Sequence, residues 1–596
     1  MTGILVFLVG DFVMAPSTLL LCAALMHQTP MDNRFRELAK RYVDESPALS
    51  PVHATTLGDH RFDSQLDDLS STARARSRNF HQQMLDALAD VDRKQLSRSN
   101  QVDYALLQHR LETVLWQTGQ LADWAWNPLL YTELAGSSIY GLMARDFAPL
   151  AQRLSHVADR LEKFPKLFEQ IQATLQPQRV PRIHAETAVK QNRGVLSILD
   201  NMVRPRLQEL NAAELNRLQQ AMQRAQEVVE QHQQWLENRL LPNANGEFRL
   251  GPERYDEKLR FTLQTPLSRT QIRQRAESEL ARVRQEMYQI AKPLYRKQYP
   301  FTEFPEQPTA AYRQAIIRAC LEMAYQDVPQ RDQIVSIARK SLQITTEFVK
   351  SKDLVTVLPD PLEIIVMPEF QRGIALAYCD SPGPLDVGQK TFYAVAPLPA
   401  HWTDAQVQSF LREYNIRSIH DLTVHEAMPG HFLQLAHSNR YPGQLRAMLA
   451  SGVFIEGWAV YAEQLMANEG FLDGDPLMRL IALKWYLRGI ANAILDQAIH
   501  TEGITREQAM RLMMHDTFQE EREAAGKWVR AQLTSAQLST YFVGYLEHID
   551  LRRETEQLWG KEFRLREYHD RLLSFGSPPV QYARALLLEK KIPQDR

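Results

Sequence analysis

The chain has 596 residues, of which 71 are acidic and 69 basic, so no overall field draws it to nucleic acid or to an anionic membrane surface. With 44% hydrophobic and 23% charged residues it has the composition of a globular protein, which excludes a disordered or fibrous chain. Its three cysteines, Cys22, Cys320 and Cys379, show no CxxC spacing, which excludes a disulfide framework and a thiolate zinc site; any metal must be held by histidine and carboxylate.

Residues 1–30, MTGILVFLVGDFVMAPSTLLLCAALMHQTP, read as an apolar leader, a signal or a mis-assigned start. Asp11 and Pro16 interrupt it and no basic residue precedes the apolar part, so no stable membrane span is expected. If translation starts at Met14, the run APSTLLLCAALM forms the core of an export signal and the protein is exported or periplasmic; otherwise it is cytoplasmic. Leu-Leu-Leu-Cys22 is a weak lipoprotein site, because a small residue is expected before the cysteine. The folded part is expected to begin near Met31.

From Asp32 onward, runs such as ARARSRNFHQQMLDALADV and AAELNRLQQAMQRAQEVVEQHQQWLENRLL place apolar residues at three and four spacing among Arg, Gln and Glu. These predict amphipathic helices packed on a core, hence a mainly α fold. Neither a sustained heptad nor an internal repeat is present. One domain is expected over 31–596, with an N-terminal helical half (31–250) and a half carrying the chemistry (251–596).

Between Leu354 and Pro399 the composition changes to Pro, Gly, Val, Ile, Tyr and Phe, which predicts short strands and turns forming a small β-sheet. An edge strand near Thr391 to Val395 would hold an extended peptide by main-chain hydrogen bonds, with Tyr393 among the substrate-binding residues. A structural hairpin closing the core fits the composition equally.

The sheet region is followed by TVHEAMPGHFLQ, Thr423 to Gln434. Two histidines four apart share a helix face, whereas six apart, as His425 and His431 are, they diverge by about 120°. Pro429 cannot donate to the carbonyl of His425 and clashes with it, and Gly430 tolerates unusual torsions. Two residues looped out at Met428-Pro429-Gly430 would return His431 to the His425 face. The expectation is one zinc ion held by His425 and His431, with Glu426 as general base on its water.

A third ligand is needed, and the helical pattern SGVFIEGWAVYAEQLM offers Glu456, 25 residues beyond His431. Two His and one Glu on a following helix is the arrangement of the gluzincin peptidases. Glu463, two turns on, is expected to pair with Lys or Arg rather than with metal.

These residues make the chain resemble the bacterial domain of unknown function 885 family, whose members carry HExxPGH followed by EGW. The resemblance runs from about residue 32 to the C-terminus and includes PVHATTLGDHRFDSQLDDLS, VHEAMPGHFLQ, EGWAVYAEQL and YHDRLLSFGSPP. That family in turn resembles the all-helical, deep-cleft gluzincins, which implies a large helical zincin-like body with a deep cleft and the small β-sheet next to the active site. The resemblance also implies roles for Asp496 and His500, as a residue orienting a metal ligand and as a contact to the reacting carbonyl. It matches Arg530, Gln537, Tyr541 and Gly544 to a substrate-binding segment. There Arg530 would clamp a peptide carboxylate and Tyr541 would stabilise an oxyanion, joined less surely by His500. The sequence departs from the family at Phe432, Asn492, Ala531 and Ser535-Ala536. The expected function is a zinc-dependent hydrolase, a metallopeptidase (carboxypeptidase or oligopeptidase) acting on short peptides. The alternatives are a zinc amidase or esterase on a non-peptide substrate, or a metal-stabilised binding protein without activity.

Overall fold

The structure is a computed structural model that describes residues 29–367, 376–399 and 401–594; the leader and Cys22 lie outside the described residues. The first helix, Pro30–Glu45, starts at a capping box in which the Thr29 hydroxyl accepts from the Asp32 N–H and the Asp32 carboxylate accepts from the Thr29 N–H. The chain then builds a predominantly helical body.

Two large apolar cores divide between Ala244 and Tyr255. The N-terminal core lies among α1 (Leu129–Met143), α2 (Leu150–Leu161) and α3 (Ala212–Trp235). On α2, Leu154, Val157, Ala158 and Leu161 recur at three and four spacing and are all buried, so this face packs inward, and Arg153 and Arg160 beside it are buried too. The second core is built by α4 (Arg269–Gln298), α5 (Ile334–Ser351) and five of the helices introduced below. The ends of the described chain meet: Val102, Ala105 and Leu106 share a small core with Tyr582, Ala585 and Ile592. Arg98 donates to the Ala585 carbonyl at 2.6 Å.

A three-stranded sheet consists of β1 (Leu362–Val366), β2 (Ala377–Asp380) and β3 (Thr391–Val395) in the order β1-β3-β2. β3 runs parallel to β1 and antiparallel to β2. Thr391–Val395 is therefore the central strand, not an edge, and its main chain is already paired on both sides. The composition of the segment could not reveal the parallel partner across the intervening loop. Tyr393 is correspondingly fully buried, its hydroxyl 3.4 Å from the Thr423 hydroxyl, so it packs inside the fold rather than against an open groove. Within the described sheet, β2 is an end strand and lies beside the histidine-glutamate motif.

The N-terminal half grips this strand. The Tyr140 hydroxyl donates to the Asp380 carboxylate at 2.6 Å, and Arg145 donates to both the carboxylate and the carbonyl of Asp380 at 2.8 Å. The loop from β2 to β3 docks on Leu57-Gly58, where the Leu385 N–H donates to the Leu57 carbonyl at 2.9 Å. Gly58 has φ +83°, and a Cβ there would overlap the Asp386 backbone, so glycine is required twice over. Among the described residues no helix is long and apolar enough to cross a membrane.

Candidate metal centre

Helix α6 (Ile416–Glu426) is started by Asn415, whose side chain accepts from the Arg417 and Ser418 N–H groups, and it ends on His425-Glu426. Helix α7 (His431–Ser438) begins directly at the second histidine. Between them the turn widens. The Met428 N–H reaches back five residues to the Thr423 carbonyl at 3.1 Å, and the Gly430 N–H reaches back six to Val424 at 2.9 Å. The Met428-Pro429 peptide is cis. A Cβ on Gly430 would overlap the carbonyl oxygens of Val424 and His425, so only glycine permits this approach. The two additional residues are thus taken up without separating the ligands: the rings of His425 and His431 lie 4.7 Å apart.

Helix α8 (Gly452–Asn468) supplies the carboxylate. Glu456 Oε2 lies 3.7 Å from His425 Nε2 and 3.5 Å from His431 Nε2. Ligand atoms about 2.0–2.2 Å from a tetrahedral ion stand roughly 3.4 Å from one another, so the spacing suits such an ion. Glu456 Oε2 is also buried with no hydrogen-bond donor, a costly condition that a cation would relieve. Burial, and next the neighbouring His431, lower His425 to about 4, leaving a neutral imidazole with a lone pair to offer. Burial would raise Glu456, but His431 and His425 outweigh it and hold the carboxyl below its usual range. The Trp458 indole N–H donates to the Pro429 carbonyl at 2.9 Å, so α8 positions the carboxylate and pins the widened turn together. Among the described residues, His425, His431 and Glu456 form the one cluster with donor atoms close enough to share an ion.

Glu463 takes a role the sequence did not suggest. It accepts from His425 Nδ1 at 2.5 Å instead of pairing with Lys or Arg, and so turns Nε2 of that ring toward Glu456. Glu456 and Glu463 are seven residues apart on α8, close to two full turns, which puts both on one face. Asp421, one turn before His425, is fully buried beside Glu463; burial and that carboxylate push it well up. Glu426 is buried on the sheet side, where after burial itself its charge is the next cause raising the Cys379 thiol of β2.

The facing wall comes from α9 (Pro476–Gln497), α10 (Glu521–Leu533) and α11 (Thr540–Trp559). The Tyr541 ring lies 6.5 Å from that of His425. One Arg530 nitrogen donates to the Tyr541 hydroxyl and to Gln537 Oε1, both at 3.1 Å, so Arg530, Gln537 and Tyr541 form one group at the cluster. This proximity depends on Gly457 and Gly544. A Cβ on either would run into the backbone of the other, so α8 and α11 cross with their backbones in close contact.

Asp496 and His500 fall elsewhere. Asp496 accepts from the Ala536 N–H and the Ser539 hydroxyl, each at 3.1 Å; it braces the turn that precedes Tyr541 and orients no ligand. Burial chiefly pushes it up to about 6. His500 donates to the Thr534 carbonyl at 2.8 Å and stacks on Tyr255, in a separate cavity of about 40 Å³ that Asp123, His184 and Lys258 also line. It faces away from any carbonyl at the cluster. The one-turn spacing of the pair survives, but the helix presents it to the back of the wall.

A family model described as bacterial protein of unknown function (DUF885) matches residues 51–587. Among solved structures, a candidate lipoprotein of unknown function from Shewanella oneidensis is similar at 33% identity with a TM-score of 0.77, covering 93% of this chain and 99% of that one. A candidate lipoprotein from Colwellia psychrerythraea shares the fold at 18% identity and a TM-score of 0.74, with the same coverage. No protein of curated description matches the chain. With its cluster built from the widened turn and the following helix, and with the family model spanning both, the chain belongs to the bacterial family DUF885.

Proposed function

We propose that the protein is a zinc-dependent hydrolase, a metallopeptidase acting on short peptides. The observation that carries this reading is the convergence of two imidazole nitrogens on the unpartnered, buried carboxylate oxygen of Glu456. His425, His431 and Glu456 would hold the ion, and a zinc ion bound there polarises a carbonyl and acidifies water. Glu426, adjoining the first histidine, takes a proton from the attacking water as its oxygen bonds to the carbonyl carbon. The same carboxyl returns the proton to the amine as the C–N bond breaks. The Tyr541 hydroxyl donates to the carbonyl oxygen as negative charge gathers on it, and Arg530, its hydrogen-bond partner, holds it in place.

Metal analysis of purified protein, with hydrolysis of a short-peptide library, tests the reading. One zinc per chain is expected in the wild type, and far less after His431→Ala. Glu426→Gln keeps its zinc and loses about 10²–10⁴-fold in turnover. A Gln variant as active as wild type removes Glu426 from the mechanism, and a zinc-loaded wild type that cleaves no peptide refutes the peptidase assignment.

A further inference from the structure

The wall opposite the candidate metal cluster gathers Arg488, Lys527 and Arg530 around a single carboxylate at ion-pair distance, that of Glu523. Arg488 on α9 pairs with Glu523, which also accepts from the Tyr414 hydroxyl at 3.0 Å. Lys527 lies one turn along α10 and is buried, yet the nearest carboxylate to its ammonium is that same Glu523, at 4.0 Å. Arg530 follows on the same face and donates only to the neutral Gln537 and Tyr541. The other carboxylates nearby are committed, Glu413 to Lys484 at 2.8 Å and Glu520 to Arg412 at 3.2 Å. Within 4.0 Å the carboxylate of Glu523 is the one that Arg488 and Lys527 share and Arg530 has none, its nearest influence of that sign being the more distant Glu456. Burial, with Arg488 and Arg530 adding to it, pushes the Lys527 ammonium well down, as expected of a buried cation lacking its anion.

The order of these groups along the wall matches a peptide end. The scissile carbonyl carbon and the carboxylate carbon of the next, terminal residue are about one residue length apart, roughly 3.8 Å. A carbonyl that reaches the Tyr541 hydroxyl thereby brings a terminal carboxylate to Arg530, bonded to that hydroxyl at 3.1 Å. Lys527, three residues back on α10, lies on the same helix face as Arg530, where the side chain of a terminal residue held by Arg530 would meet it.

We infer that the protein removes an acidic residue from a free C-terminus, with Arg530 holding the α-carboxylate and Lys527 the side-chain carboxylate of a terminal Glu or Asp. The inference rests on the hydrolase reading above and adds its substrate class. Four peptides that differ only at the end, Glu or Gln, each with a free or an amidated terminus, test it. The free Glu peptide is expected to show the highest kcat/KM, on the order of 10- to 100-fold above the free Gln peptide, the worth of one buried charged hydrogen bond. Lys527→Gln should abolish the Glu-over-Gln preference while the preference for a free terminus stays, and Lys527→Arg should keep both. Equal rates for Glu and Gln ends in the wild type overturn the role of Lys527, and equal rates for free and amidated ends overturn the exopeptidase assignment. If no peptide is cleaved, the hydrolase reading fails by itself. The pocket is then judged by calorimetric titration of the zinc-loaded Glu426→Gln variant with the two free peptides: tighter binding of the Glu peptide supports it, equal binding overturns it.

Discussion

His425 would act as a metal ligand through Glu463. A free imidazole exchanges tautomers, and only the form protonated at Nδ1 leaves Nε2 to meet an ion; the 2.5 Å contact selects that form. Replacing Glu463 by Gln keeps the size of the side chain and removes its charge. The variant is expected to bind zinc about 10- to 100-fold more weakly, as competition with a chromogenic chelator measures, with helical content unchanged. The meeting of His431 and Glu456 with His425 was legible in the sequence because proline and glycine betray an interrupted turn and because a glutamate on the next helix completes the group. Glu463 was not legible, since a carboxylate two turns along a helix looks the same whether it faces solvent or a histidine. Lys527 was hidden for the same reason: only packing shows that a lysine of a polar-looking helix is buried beside two arginines.

Helices α8 and α11 meet at Gly457 and Gly544, and the contact brings Tyr541 to the metal cluster. A methyl group at this crossing must push the two backbones apart. Gly457→Ala is expected to cost about 1–3 kcal/mol by overpacking, or more, seen as a lowered thermal midpoint, and to reduce peptide turnover by moving Tyr541 from its place. A variant with unchanged midpoint and turnover would show that the crossing has slack that the geometry denies. The helices themselves were readable from three and four spacing, because that periodicity is what burying one face requires. Strand order was not: β3 has the apolar composition of an inner or an outer strand alike, and its parallel pairing with β1 depends on a loop whose path no local pattern encodes. The spacing of Asp496 and His500 was read correctly as one helical turn, but which side of α9 faces the cluster is settled by how that helix is rolled against α4 and α11.

At the scale of the whole molecule, the N-terminal half holds the loop that follows β2 through an ionisable contact. His60 sits between Asp63 at 3.0 Å and Asp386 at 3.1 Å, its ring stacked 3.6 Å from Phe147. Burial alone would lower its pKa, but Asp386 and Asp63 outweigh burial and raise it to about 9. A histidine whose folded value exceeds its unfolded 6.5 contributes stability that is fully present below pH 6.5 and lost as pH rises through about 9. The thermal midpoint of His60→Gln should therefore fall furthest below wild type at pH 6, and the gap should close by about pH 10. A gap independent of pH would leave shape, not charge, as what His60 supplies. Asp380 extends the same dependence to the strand itself, because it belongs to the segment beside Glu426 while its hydrogen-bond partners, Tyr140 and Arg145, belong to the other core. The two halves are consequently not interchangeable modules. Grafting a foreign helical bundle in place of the first would preserve His425, Glu426, His431 and Glu456, and still leave the ledge beside them without its anchor.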